Sequence, residues 1–378
     1  MILALFFTRG ISLERWLETG LFAREKLVYE AHLANGNLRK VYWLTYGTND
    51  ADWANQLKSE NRLHPDIDVF PMSRFFRGKW GPLIYSFIIP LIHSKHLRKA
   101  HILKTNQMDG SWTAVISKIL YKKPLIVRTG YVLSVFLQKE LKSTFRPKLY
   151  ELVERVAYRF ADIGIVSSQQ AEEYISSKYG FSREKTKVIY NFTDNELFYP
   201  RNCKKYENRI VFVGRLCEQK NLFNLIEAVT KTHLTLDIYG GGKLQDELEC
   251  WANKLNARVN FMGVVSNNDL PEILNRYRYY ILPSLYEGMP KTLLEAMACG
   301  LLCIGTNVDG IKEVIEDEYN GFLAQGTDAS NIHIAMNRAI SERSSKKFGI
   351  SAVRTIRNKF TLSQIIKREH AIFDHLTC

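Results

Sequence analysis

Short apolar runs alternate with longer helical patterns along the whole chain. In the first half the runs fall at residues 3–8, 41–46, 66–71, 101–104, 124–128, 162–167 and 187–190. In the second half they fall at 209–213, 234–239, 258–262, 279–282 and 301–305. Most of these runs are continuously apolar over their central residues rather than alternating apolar with polar. They therefore predict strands buried on both faces and joined in parallel by helices. The pattern restarts after about residue 200, past a polar, turn-rich stretch at 191–202 that contains Pro200 near its end. The expectation is an α/β chain of two doubly wound, Rossmann-like domains, at 1–195 and 203–359.

In open parallel sheets, ligands bind beyond the carboxyl ends of the strands. Two loops that run from strand into helix carry the strongest chemistry. The first is Gly214-Arg215-Leu216-Cys217-Glu218-Gln219-Lys220-Asn221. Gly214 permits a tight turn, Arg215 and Lys220 stand at the mouth of the crevice, and Asn221 suits the N-cap of the next helix. Two cations beside a helix N-terminus suit a diphosphate; the alternative is a solvated surface loop. The second loop holds Glu287-Gly288-Met289-Pro290-Lys291-Thr292-Leu293-Leu294-Glu295, with Pro290 suited to the first turn of a helix and Gly300 to its end. Beyond Thr292 that helix is apolar except at Glu295. A buried carboxylate needs a donor, which a ribose diol would supply. The amides of Gly288, Met289, Lys291, Thr292 and Leu293 can face sugar hydroxyls and phosphate oxygens, and the helix dipole favours a leaving diphosphate there. The alternative pairs Glu295 with a core arginine and leaves Glu287 as a surface acid.

The segment from Glu287 to Glu295, continuing to Gly300, resembles the signature of the retaining GT-B glycosyltransferases of family GT4. Gly214–Asn221 is similar to that family's diphosphate loop, and Asn191-Phe192-Thr193-Asp194 through Pro200 to its interdomain stretch. Gly240-Gly241-Gly242 resembles its second glycine turn and Gly263 the glycine near its nucleobase site. Asp309-Gly310 with Glu313 resembles its G-G-x-x-E stretch, with Asp309 in place of the first glycine. The resemblance implies two domains facing a central cleft, with 360–378 packing back on the first domain. It implies that Arg215 and Lys220 neutralise the donor diphosphate, that Glu295 holds the ribose, and that Glu287 sits by the transferred sugar. Residues around Met262–Val264 would cradle the base. It further implies a UDP- or GDP-linked hexose as donor substrate, no cofactor, no metal, retention of anomeric configuration, and front-face attack with the leaving phosphate as base.

The first half departs from that family. Its first strand-end loop, Thr8-Arg9-Gly10-Ile11-Ser12, offers Gly10 as its one glycine on the donor side. Thr129 stands where the family often has histidine. The remaining acceptor-side candidates are Asn106 and Asp109 after the fourth strand, and Arg128 and Tyr131 around the end of the fifth.

Composition narrows the partners. Hydrophobic residues make up 46% and charged residues 24%, which argues for packed domains over disorder. No apolar run reaches the length of a spanning helix, and the apolar start is too short for a signal peptide, so the expected location is the cytoplasm, with a peripheral position on the inner membrane face open. The six cysteines lack any paired metal spacing and read as small buried residues. The net charge of +13 is uneven, with 29 Lys/Arg against 19 Asp/Glu before residue 201. A basic half implies an acidic partner. The chain lacks clustered aromatic platforms within a basic stripe and any helix-turn-helix pattern, which argues against nucleic acid. Instead, Arg74, Arg77 and Lys79 flank Phe75, Phe76 and Trp80 ahead of the apolar stretch 81–94. That segment suits contact with anionic lipid and an acceptor that is lipid-linked; the alternatives are a buried helix with a solvated basic end, and a soluble acceptor such as a sugar phosphate. The expected outcome is binding to anionic vesicles that weakens as salt rises. Absence of binding at low salt contradicts the lipid contact.

Overall fold

A computed structural model describes residues 1–140, 145–342 and 345–377. The chain divides into two units, Met1–Ile189 with Ile365–Cys378, and Tyr190–Gln364. Each is built on one parallel sheet, as its continuous apolar strands require.

In the first unit the strands are β1 (Ile2–Phe6), β2 (Lys40–Leu44), β3 (Ile67–Phe70), β4 (Ile102–Thr105), β5 (Leu125–Thr129), β6 (Ile163–Val166) and β7 (Thr186–Val188). Their order is β3-β2-β1-β4-β5-β6-β7. The second unit has β8 (Arg209–Val213), β9 (Thr235–Tyr239), β10 (Val259–Gly263), β11 (Tyr279–Leu282), β12 (Leu302–Thr306) and β13 (Gly321–Ala324), in the order β10-β9-β8-β11-β12-β13. Both are doubly wound sheets. In the second, winding reverses between β8 and β11, which places a topological switch point, and so a ligand crevice, beyond the carboxyl ends of those two strands. The two loops singled out from sequence leave from these same strands.

The expected strands are found, with ends displaced by a residue or two. β7 stops at Val188 rather than running to 190, because its three paired residues end at the sheet edge. The run Gly321–Ala324 forms a further strand that the pattern does not predict. It has no β-branched residue, and its pairing to β12 supplies what local propensity lacks. The cysteines divide: Cys299 and Cys303 are buried as expected, whereas Cys203 and Cys250 are exposed and Cys217 is intermediate.

A buried polar cluster ties the last helix, Leu362–Thr377, into the first unit. Lys104 on β4 donates to Glu369 Oε1 at 2.7 Å, and His32 Nε2 lies 3.3 Å from Glu369 Oε2. All three side chains are almost fully buried. Burial alone would raise the Glu369 carboxyl, but the charge of Lys104 and the contact with His32 outweigh it and hold it at about 2. A carboxyl held below its ordinary 4.5 stabilises the fold at any pH above that value. That contribution is lost as pH falls from about 4.5 towards about 2. Lys104→Met leaves the carboxylate buried without its cation, and urea unfolding at neutral pH should show a loss of about 3–5 kcal/mol. The variant's stability should also depend less on pH across the acid window.

Candidate functional site

The crevice of the second unit begins with backbone packed on backbone. Gly214 ends β8, and Gly240 and Gly242 follow β9. A Cβ on Gly240 would lie 1.8 Å from the Gly214 carbonyl oxygen, and one on Gly242 would lie 2.3 Å from that of Leu216. Gly240 also has φ +144°, which L side chains rarely adopt. The two loops are stitched by Leu216 N to Gly241 O at 3.0 Å. This close approach fixes the loop that carries Arg215 and Lys220.

Lys220 turns toward the second loop and forms an ion pair with Glu287, both side chains being mostly buried. Ser284 Oγ donates to Glu287 Oε1 at 2.7 Å, and Gln219 Nε2 donates to the Tyr286 carbonyl at 2.9 Å. Leu285 N donates to Gln219 O at 2.8 Å. Lys220 and Glu287 are thus brought together as the core of one site. Arg215 remains exposed and reaches Gln219 Oε1 at 3.5 Å. Asn221 precedes the helix Leu222–Thr230 but does not cap it with its side chain. It sits at φ 56°, and its amide donates to the carbonyls of Pro283 at 3.0 Å and Thr327 at 2.6 Å. Long-range tethering of three strand-end loops prevails over local capping here.

The helix Lys291–Ala298 starts one residue later than Pro290, which stands outside it as an extended N-cap residue. Pro290 is therefore the entry to the helix rather than part of its first turn, and Gly300 ends the turn after it with φ +76°. Leu294 N bonds back to Pro290 O, so the amides of the first turn, among them Lys291, Thr292 and Leu293, project from the helix start. Gly288 and Met289 lie in the loop before them. Asn191 Nδ2 donates to the Met289 carbonyl at 2.8 Å, and a Cβ on Gly310 would strike the Gly288 carbonyl at 2.0 Å. Gly310, the glycine of the Asp309-Gly310 pair, is thus the sterically demanding position. Thr292 Oγ1 accepts from the buried Tyr280 hydroxyl at 2.9 Å, and Glu295 is 4% exposed on the same helix. Gly263 ends β10 at φ +73°, between exposed Met262 and Val264.

The remaining candidates lie in the first unit. Gly10 follows β1 with φ +76°. Its neighbour Arg9 donates to Asp109 through Nε at 3.1 Å and Nη2 at 3.3 Å, and to the Tyr150 hydroxyl at 3.2 Å. Arg9, Asp109 and Tyr131 line a cavity of about 810 Å³ with Trp80, Phe87 and Trp112. Asn106 and Arg128 do not line it; Arg128 Nη1 instead donates to the Asn106 carbonyl at 3.2 Å. Thr129 is buried at the end of β5. Sequence reasoning did not single out Gln219, Ser284, Trp112 or Tyr150. The first two are polar neighbours of Lys220 and Glu287 in strand-end loops, which is the signal that could have found them. Among the described residues, no three His, Cys, Asp or Glu side chains gather as a metal-ligand set.

Two doubly wound sheets, one with glycine-built loops at its switch point, fit the class of GT-B glycosyltransferases. Residues 195–355 match the family of glycosyl transferases group 1, and residues 33–197 match glycosyltransferase family 4. The chain belongs to this group 1, family 4 lineage and is a glycosyltransferase. It is similar to an Escherichia coli UDP-Gal:alpha-D-GlcNAc-diphosphoundecaprenol alpha-1,3-galactosyltransferase, with 32% identity over 64% of this chain and 69% of that one. It is also similar to a Campylobacter jejuni alpha-1,4-N-acetyl-D-galactosaminyltransferase named for an undecaprenol-linked acceptor, with 24% identity over 66% and 68%. Among solved structures, Anabaena HepE in complex with UDP and glucose superposes with a TM-score of 0.77 at 18% identity, covering 99% of this chain and 100% of that one. Sucrose-phosphate synthase from Thermosynechococcus elongatus gives 0.76 at 20%, covering 100% and 99%.

Lys220→Met removes the cation held at Glu287 while leaving the glycine scaffold intact. Steady-state assays should show transferase kcat/KM reduced by about 10²–10³-fold, the usual cost of deleting one charge-stabilising group. A loss below about tenfold would exclude Lys220 from the reaction.

Proposed function

We propose that the chain moves a hexose, with retention, from a uridine or guanosine diphosphate sugar to a lipid-linked glycan during surface polysaccharide assembly. The observation that carries this reading is the convergence of Lys220, Glu287, Ser284 and Gln219 at the switch point, beside the N-terminus of Lys291–Ala298. A donor diphosphate entering there meets Lys220, Arg215 and the helix amides. These offset its charge without a divalent ion and stabilise it further as it leaves. Glu287, oriented by Ser284 and Gln219, stands ready to accept hydrogen bonds from the hydroxyls of the sugar. Exposed Met262 and Val264 offer an apolar shelf to the base, and Glu295 takes the ribose. The C1–O bond to the diphosphate breaks and the acceptor oxygen bonds to C1 on the same face. The acceptor proton passes to a phosphate oxygen of the leaving group.

The lipid side rests on the first unit. Ile84, Phe87 and Leu91 on the helix Gly81–Ile92 are exposed, as are Phe75 and Trp80 just before it. A second exposed stripe, Phe145, Leu149, Leu152, Val156 and Phe160, recurs at helical spacing along Phe145–Phe160. The aromatic cavity is lined from both helices, and Arg9, Asp109 and Tyr150 are among its polar groups. Apolar helix faces with adjacent Arg74, Arg77 and Lys79 suit the boundary of an anionic membrane. No helix among the described residues is long and apolar enough to cross one. The relatives named for undecaprenol-linked substrates support an acceptor of that chemistry.

The test offers UDP- and GDP-linked α-hexoses with an undecaprenyl-diphosphate glycan, in the presence of a chelator, and reads the new linkage by proton NMR. The expected product is the α-anomer, formed at a rate the chelator leaves unchanged. A β-linked product would contradict retention, and loss of turnover on chelation would contradict metal independence.

A further inference from the structure

The second unit carries another cavity at the opposite ends of its strands. It occupies about 700 Å³ and is lined by Arg278 just before β11, Leu302 at the start of β12, and Cys299 and Gly300 after the helix Lys291–Ala298. The crevice of the proposed donor site lies beyond the other ends of those strands. The eight residues of Lys291–Ala298 span about 12 Å between them.

Its wall is closed by a tight helix contact. The helix Ser345–Lys359 approaches so near that a Cβ on Gly349 would lie 2.4 Å from the Gly300 carbonyl oxygen. Pro200, Leu302, Ile350 and Val353 make the cavity apolar, while its charged lining is of one sign: Arg201, Lys205, Arg278, Lys346, Arg354 and Arg357. No carboxylate lines it, and none of these six takes part in an ion pair among the described residues. A helix C-terminus carries about half a negative charge, which offsets less than one of the six. Lys205 is further engaged by the carbonyls of Asn275 at 3.2 Å and Tyr277 at 3.1 Å. Arg201 Nε is buried and finds no acceptor among the described residues. A buried donor of this kind requires a partner.

We propose that this cavity binds a small phosphate-bearing anion at a site separate from the donor crevice, with the phosphates on the arginines and an apolar portion against Leu302, Ile350 and Val353. Fork-shaped guanidinium groups match phosphate oxygens in pairs, which is why the arginines outnumber the lysines in such a cradle. Burial pulls the Lys205 ammonium below its ordinary value, and a bound anion beside it would shift it back up.

Arginine modification by phenylglyoxal, resolved by peptide mass spectrometry, tests the site on the full chain. Inorganic pyrophosphate at ten times its dissociation constant should slow modification of Arg278, Arg354 and Arg357 by about tenfold. Arg338, paired with Asp317 and Glu318, should be unaffected. Arg215 reports the donor crevice separately, so failure at one site is read independently of the other. Phosphatidylglycerol vesicles form the second arm. Protection by pyrophosphate alone assigns a soluble ligand, and protection by the vesicles as well assigns a lipid headgroup. Unchanged modification with both probes overturns the proposal. Arg354 and Arg357 are exposed on their helix, so Arg354→Glu with Arg357→Glu should fold normally. Calorimetry of the double variant should show one fewer pyrophosphate equivalent than the parent; equal stoichiometry also overturns the site.

Discussion

Lys220 and Glu287 lie far apart in sequence, on loops that leave two neighbouring strands, and their ion pair holds those loops in one arrangement. Most of the geometry around the crevice follows from it. Ser284 and Gln219 orient the carboxylate, Asn221 anchors the same loop to Pro283 and Thr327, and Arg215 is left exposed at the rim. The pair can form only because Gly214, Gly240 and Gly242 allow the supporting loops to meet backbone to backbone. A mostly buried pair of this kind contributes little net stability once desolvation is counted, since the attraction is largely offset by the loss of water. Its value is positional. On the proposed reading an incoming diphosphate competes for Lys220, so the cation is already in place before the donor arrives.

The two units handle charge and apolar surface in opposite ways. The second exposes apolar residues in scattered places, among them Val264 and Ile334, and gathers cations at both ends of its sheet. The first buries a lysine of β4 against a glutamate of its last helix and leaves two apolar helix stripes in the open. Such exposure is costly in water and becomes favourable against an acyl boundary. The same helices line the aromatic cavity, so a lipid contact and an acceptor chamber would share one construction.

The parallel sheets could be read from the sequence because most of their strands are continuously apolar, and the loops with Arg215, Lys220 and Glu287 could be read because glycine and charge mark strand ends. What escaped was non-local. Gly321–Ala324 becomes a strand through its pairing with β12. Asn221 looks like a cap because capping is a local bond, yet its amide reaches carbonyls on two distant loops. Arg128 stands at the end of β5, and its Nη1 reaches across to the Asn106 carbonyl after β4, a bond that local pattern does not show. The grouping of Arg9, Asp109 and Tyr150 joins residues from three separate elements, and periodicity carries no trace of it.

On the proposed reading, the strand-end loops of the second unit grip a nucleoside diphosphate through backbone amides as well as Lys220. Hydrogen exchange of the full chain, with and without UDP or GDP in a chelating buffer, tests it directly. Exchange is expected to slow at Gly288, Met289, Lys291, Thr292 and Leu293, together with the turn at Gly214–Leu216. Exchange at those amides that does not change with either saturating nucleotide would contradict it.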